Sequence, residues 1–232
     1  MNNQTIKNIV IVHGAFADAS GWEPAFNLLT AKGYDVTLVQ NPTSTLQEDV
    51  AMTIAALDRQ DGPTVLVGHS WGGTVITQAG THDKVVNLVY IAAFIPDAGE
   101  STLALVQSEA ILELNGILPP DEKGNVYLDK GKFYATFTPG QTKERSAFMY
   151  ASQIPLTVAA FVAPVTQAAW KNKVSYALLP TDDGTINPVL ERKMYKRAGC
   201  IVTEMTGGHT LFMEQPQAVV DIIVTASNNV TA

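Results

Sequence analysis

The sequence predicts an α/β protein built on a doubly wound, six-stranded parallel sheet with helices on both faces. Three observations predict it. Short apolar runs rich in β-branched residues recur along the chain. Each is too continuous for a strand with one wet face, so it reads as buried on both sides. Segments with apolar residues at helical spacing separate these runs, an alternation that calls for a parallel sheet covered on both sides. The third observation is the stretch PTVLVGHSWGGTVITQ at 63–78, where a strand gives way to a helix within a few residues around a G-x-S-x-G.

Composition narrows the classes of function. A chain of 232 residues suits one domain, or one with a sizeable insertion. Hydrophobic content of 46% against 16% charged supplies an ordinary globular core. The net charge of −7, with the 15 basic residues unclustered, argues against nucleic acid or an anionic membrane surface as partner. A single cysteine, Cys200, excludes an internal disulfide and makes a thiolate metal site implausible. Ahead of an apolar run it reads as a buried, inert thiol. The opening MNNQTIKNIVIV lacks the charged start and separate apolar core of a signal peptide. The longest apolar run, 85–95, is too short to span a membrane and carries Asn87. The expectation is a soluble cytoplasmic protein, with a homodimer left open.

The first strand is expected over 8–12, running straight into His13-Gly14-Ala15-Phe16. Asp18, Ser20 and Gly21 form a loop, and a helix follows over 22–32, ended by Gly33. The second strand covers 35–39. Asn41-Pro42 turns the chain, and Thr45-x-x-Glu48 makes a capping box for a helix with Val50, Ile54 and Leu57 on one face. The third strand, Thr64 to Val67, leads into the elbow, and the helix beyond it carries Val75, Ile76 and Ala79. A fourth strand covers 85–91.

From Pro96 to Trp170 no further buried strand is expected. Leu103, Val106 and Ala110 suggest a helix, 125–137 reads as a hairpin around Asp129-Lys130-Gly131, and 144–153 reads as helix. This gives a core of 1–95 and 171–232 interrupted by a cap insertion at 96–170, lying over the carboxyl edge of the sheet. A peripheral layer is the plainer alternative. The core resumes with strands over 174–179 and 201–205, a helix opened by Asn187-Pro188 between them, and a closing helix over 216–226.

The elbow points to chemistry. A strand reversing so tightly into a helix forces Ser70 into a strained backbone conformation, and the flanking glycines are needed because a Cβ would clash. The hydroxyl is thereby held out at the sheet's edge, with a helix N-terminus behind it. Serine is a poor nucleophile at neutral pH and needs a base. Of four histidines, His13 suits shaping its turn, His69 should point away from the hydroxyl, and His82 closes a helix near Asp83 in solvent. His209 follows the last strand in Gly207-Gly208-His209, at the edge where ligands meet open α/β sheets. The base needs a carboxylate to fix its tautomer. Asp182 and Asp183 both follow the fifth strand, and Asp97 follows the fourth. Asp182 is the expected turn residue and Asp183 the expected partner. The backbone N–H groups of Trp71 and Ala15 suit an oxyanion hole, since Gly14 lets the first turn approach the elbow.

Taken together, V-H-G-A after the first strand, G-H-S-W-G, Asp183-x-x-Ile186 and G-H-x-x-F near the end resemble the α/β-hydrolase superfamily. The chain is similar to its small bacterial esterases and to the plant methylesterase and hydroxynitrile lyase branch, which also begins at a parallel strand. The resemblance implies an α/β-hydrolase fold with Ser70, Asp183 and His209 as catalytic triad, and no metal or organic cofactor. Hydroxynitrile lyases of this kind have Thr in place of Gly14 and Lys in place of Thr210, so both differences favour ester hydrolysis. Epoxide hydrolases and haloalkane dehalogenases carry Asp where this chain has Ser70. Gly184 stands where relatives often have Arg or Lys.

Phe16 and Trp71 are expected to floor the pocket, and Phe133, Phe137, Tyr150 and Phe161 to roof it, though aromatics at these spacings serve equally well as plain core. Apolar walls imply a small, uncharged or weakly polar ester as the partner molecule. The reading is a serine carboxylesterase working through an acyl-enzyme. One alternative keeps the triad but changes the bond: a lactone, a thioester, a carbon–carbon bond or perhydrolysis. Another is a ligand receptor on the same fold with negligible turnover.

Overall fold

A computed structural model describes residues 6–110, 112 and 115–229; the first five residues of the opening segment lie outside them. The main sheet holds β1 (Asn8–Val12), β2 (Asp35–Val39), β3 (Thr64–Ser70), β4 (Val85–Ala93), β7 (Val174–Pro180) and β8 (Ile201–Met205). Their order is β2-β1-β3-β4-β7-β8 and every pairing is parallel. The reversal of strand order on either side of β1 and β3 makes this a switch point, where an open α/β sheet presents its carboxyl-end crevice.

Alternation along the strands divides the core in two, because successive side chains leave a strand on opposite faces. Ile9 and Ile11 of β1, with Val65 and Val67 of β3, pack against Leu29 of α1 (Glu23–Ala31) and Val219 and Ile223 of α10 (Pro216–Asn228). Val10 and Val12, with Leu66, pack instead against Leu57 of α2 (Leu46–Asp58), Val75 and Ile76 of α3 (Trp71–Ala79), and Met194 of α8 (Pro188–Arg197). β3 is buried along its whole length, as its unbroken apolar run requires. The edge strand β8 is not: Ile201 is 54% exposed and Val202 41%.

Helix starts follow the sequence signals. Thr45 Oγ1 accepts the N–H of Glu48 at 3.1 Å, and the Asn187 side chain accepts from Val189 at 2.9 Å with Pro188 in the first turn. One face differs from the expected one. Val50 and Leu57 are buried but Ile54 is 36% exposed, and the buried stripe of α2 is completed by Asp49 and Thr53.

Between β4 and β7 lie α4 (Thr102–Gln107), β5 (Asn125–Val126), α5 (Phe133–Thr136), α6 (Lys143–Ala151), β6 (Leu156–Thr157) and α7 (Val158–Val162), and no strand of the main sheet among the described residues. The expected hairpin over 125–137 does not form. β5 pairs antiparallel with β6, some thirty residues further on. Asp129 is the reason: its carboxylate accepts the N–H of Lys132 at 3.0 Å and its carbonyl that of Phe133 at 2.9 Å, so the chain turns into α5 instead of back along itself. This segment is tied to the core by Phe16 N–H donating to the carbonyl of Ile154 at 2.9 Å and Thr157 N–H to that of Thr43 at 3.1 Å.

Candidate active site

Ser70 ends β3 with φ 53° and ψ −120°, a conformation that costs a non-glycine residue of the order of 1–3 kcal/mol. Its neighbours over-determine it. A Cβ on Gly68 would lie 2.6 Å from the carbonyl oxygen of Gly72, and one on Gly72 would lie 2.4 Å from that of Val12. The elbow therefore closes only with glycine at both positions. Ser70 itself is 6% exposed and lines a cavity.

Asp183 and His209 meet as the loops after β7 and β8 come together. His209 Nδ1 donates to Asp183 Oδ2 at 2.7 Å, and the other oxygen of Asp183 accepts the backbone N–H groups of Thr185 at 2.7 Å and Ile186 at 2.9 Å. With both oxygens of Asp183 accepting, the imidazole is fixed with its proton on Nδ1. His209 Nε2 is left as a lone pair, buried and without a hydrogen-bond partner. No hydrogen bond joins it to Ser70. Asp182 is exposed, with only its backbone tied to Gly207, and Asp97 is ion-paired to Lys171. Neither reaches the imidazole.

The remaining histidines are accounted for. His13 Nε2 accepts the N–H of Asn41 at 2.8 Å and Nδ1 donates to the carbonyl of Gly14 at 2.7 Å, so it shapes the first turn, and burial lowers its pKa. His69 donates from Nε2 to the carbonyl of His209 at 3.0 Å; burial first, then the neighbouring His209, lowers its pKa well below the usual histidine value. His82 is half-buried against Asp58, at 3.1 Å.

The turn holding Ala15 is pressed against the elbow. A Cβ on Gly14 would lie 2.7 Å from Ser70 Cβ, so only glycine lets the two backbones come this close. Ala15 and Trp71 both line the cavity beside Ser70.

That cavity, about 720 Å³ measured to its open mouth, has walls of Phe16, Phe94, Val126, Leu156, Phe161 and Leu190 among others. Phe16 and Phe161 stand where they were expected; Phe133, Phe137 and Tyr150 do not. Phe133 and Phe137 are fully buried and packed on each other at 5.1 Å, with Tyr150 edge-on to Phe133 at 5.6 Å. The Phe137 ring lies 5.2 Å from the His209 ring, backing the imidazole without reaching the cavity. Gly184 is explained here too: a Cβ on it would lie 3.0 Å from the backbone of Thr136, so the Asp183 loop abuts the α5 turn.

Sequence reasoning missed two buried acids. Asp49 accepts from Trp71 Nε1 at 2.6 Å, and Glu191 accepts from the Tyr195 hydroxyl at 3.0 Å, which itself accepts the N–H of Ala93 at 2.8 Å. Each sits on the buried stripe of an amphipathic helix, beside Val50 in one case and Leu190 in the other. An acid on such a stripe was the available signal. Burial, and then the charge of Asp183, raises the pKa of Glu191 well above the carboxylate range, so it stays protonated. Above the ordinary carboxylate pKa the unfolded chain releases this proton while the folded one keeps it, so Glu191 lowers stability as pH rises from there. Glu191→Gln should flatten that part of the stability–pH curve with little change in turnover. Denaturant titrations at several pH values check it.

The sequence profile of the α/β hydrolase family matches residues 9–222. Over 113 residues the chain is 28% identical to a carbendazim hydrolyzing esterase of Nocardioides sp. (strain SG-4G), covering 43% of this chain and 47% of that one. Over 112 residues it is 34% identical to Methylesterase 7 of Arabidopsis thaliana, covering 41% and 42%. The chain thus aligns with less than half the length of these two curated relatives. A solved pyrethroid hydrolase from Sphingobium faniae JZ-2 superposes with a TM-score of 0.84 over 96% of this chain and 98% of that one, at 20% identity, a likeness of fold. The profile match takes in the elbow, the Asp183 loop and His209, and the chain belongs to the α/β hydrolase family.

Proposed function

We propose that this protein is a serine hydrolase of carboxylic esters. The observation that carries the reading is His209, whose Nδ1–H is committed to a saturated Asp183 and whose Nε2 is a buried, unused lone pair. Ser70 Oγ attacks the ester carbonyl as Nε2 takes its proton, and the imidazolium is stabilised by Asp183. The backbone N–H groups of Ala15 and Trp71 receive the oxyanion, each contributing on the order of 3 kcal/mol. His209 returns the proton to the leaving alcohol, and water activated the same way releases the acid. The segment 96–170 acts as the cap, supplying Val126, Leu156 and Phe161 to the wall opposite Ser70.

The walls select a neutral, largely apolar acyl or alcohol group. Glu109 is the single ionisable side chain among the described lining residues, and it is paired with Lys193. Among the described lining residues no cation faces inward to receive a substrate carboxylate. The esterase names among the relatives agree in kind with this reading.

A p-nitrophenyl ester series of increasing acyl length tests it. The specificity constant kcat/KM should climb by about fourfold per methylene while the chain fits the apolar walls, then fall once it overruns them. A flat series, or turnover that survives loss of Ser70, contradicts the proposal.

A further inference from the structure

Asp49 stands apart from the triad, at the N-terminal end of α2, and is buried. Both its oxygens are in use. Oδ2 accepts from Trp71 Nε1 at 2.6 Å and Oδ1 from the backbone N–H of Thr43 at 2.9 Å. Trp71 follows the nucleophile, and its own backbone N–H is one of the two oxyanion donors. Thr43 is held in a left-handed conformation, φ 54°, and grips the cap segment: its hydroxyl donates to the carbonyl of Pro155 at 2.6 Å and its carbonyl accepts Thr157 N–H. One carboxylate therefore joins the elbow to the turn on which the cap rests.

We propose that Asp49 is a positioning residue, an ionised clasp that sets the Trp71 backbone N–H in the oxyanion hole and fixes the cap segment relative to Ser70. The proposal rests on the serine hydrolase reading and adds to it a residue that touches no substrate.

The chemistry of the two donors requires the charged form. Each oxygen faces an N–H, so a protonated carboxyl would turn its hydrogen on a donor and break one bond. Burial pushes the Asp49 pKa up to about 6 against the pull of the Trp71 and Thr43 hydrogen bonds, with Glu48 raising it further. Among the elements packed most closely on α2, α3, α7 and β1 carry no ionisable side chain. β2 carries Asp35, which is exposed. The clasp thus lets go in mildly acidic solution.

The test is kcat and KM against pH, from about 5 to 8, for the full chain, Asp49→Asn and Trp71→Phe, with p-nitrophenyl butyrate. A misplaced donor costs up to about a hundredfold in rate, so both variants should lose between about tenfold and a hundredfold in kcat, with KM within about twofold. The acid limb of the wild-type profile should be steeper than that of Asp49→Asn, by the one proton that Asp49 takes up. Wild-type kcat and an unchanged acid limb in Asp49→Asn overturn the proposal. Should Asp49→Asn fail to fold, Trp71→Phe decides: it keeps an aromatic ring and removes the indole N–H, and a wild-type kcat there overturns the proposal equally. Failure of wild-type Ser70 to react with a fluorophosphonate sinks the hydrolase reading instead, a result separable from these.

Discussion

Ser70→Gly is expected to remove turnover and stabilise the fold in one step. Loss of the nucleophile in an intact triad lowers kcat by about 10⁶-fold, leaving what the oxyanion donors and binding alone provide. Stability should move the other way. The wild-type residue holds φ at 53°, where glycine is unstrained. Relief of about 1–3 kcal/mol of strain outweighs the roughly 0.5–1 kcal/mol that glycine costs in unfolded-chain entropy, for a net gain near 1 kcal/mol. Urea denaturation alongside an ester assay measures both. A destabilised Ser70→Gly would mean that the elbow is not strained at Ser70.

Asp183→Asn is the second large effect. Asparagine can still accept the N–H groups of Thr185 and Ile186 through its oxygen, so the loop should keep its shape. Its NH₂ would then face His209 Nδ1, which must become the acceptor, moving the ring proton to Nε2. The base is occupied and cannot take the serine proton. A drop in kcat of about 10⁴-fold is expected near neutral pH, with KM little changed. Steady-state kinetics with a soluble ester check it, and thermal unfolding near the wild-type temperature would separate tautomer loss from collapse of the loop.

The parallel sheet was legible because its strands are continuous apolar runs, and the elbow because two glycines must flank so tight a turn. The meeting of Asp183 with His209 was legible in the same way: both follow strands that end on the crevice side, and Asp182 is one residue out of phase and faces solvent. What escaped the sequence was tertiary. A pattern rule places acids on wet faces, so Asp49 and Glu191 were passed over although each lies on a buried stripe. Phe137 looked like a pocket roof but backs the imidazole, because helix α5 turns it inward where a hairpin would not have. That helix itself depends on one local competition, Asp129 closing the turn ahead of it through the N–H of Lys132, against a hairpin that the Lys130-Gly131 turn equally allowed.

Whether one serine carries the reaction is decided most directly by fluorophosphonate labelling of the purified protein, followed by intact mass and peptide mapping. A single adduct on Ser70, absent in Ser70→Ala and slowed by several orders of magnitude in His209→Ala, is the predicted result. A protein that turns over esters yet takes no label at Ser70, or takes it equally well without His209, would contradict it.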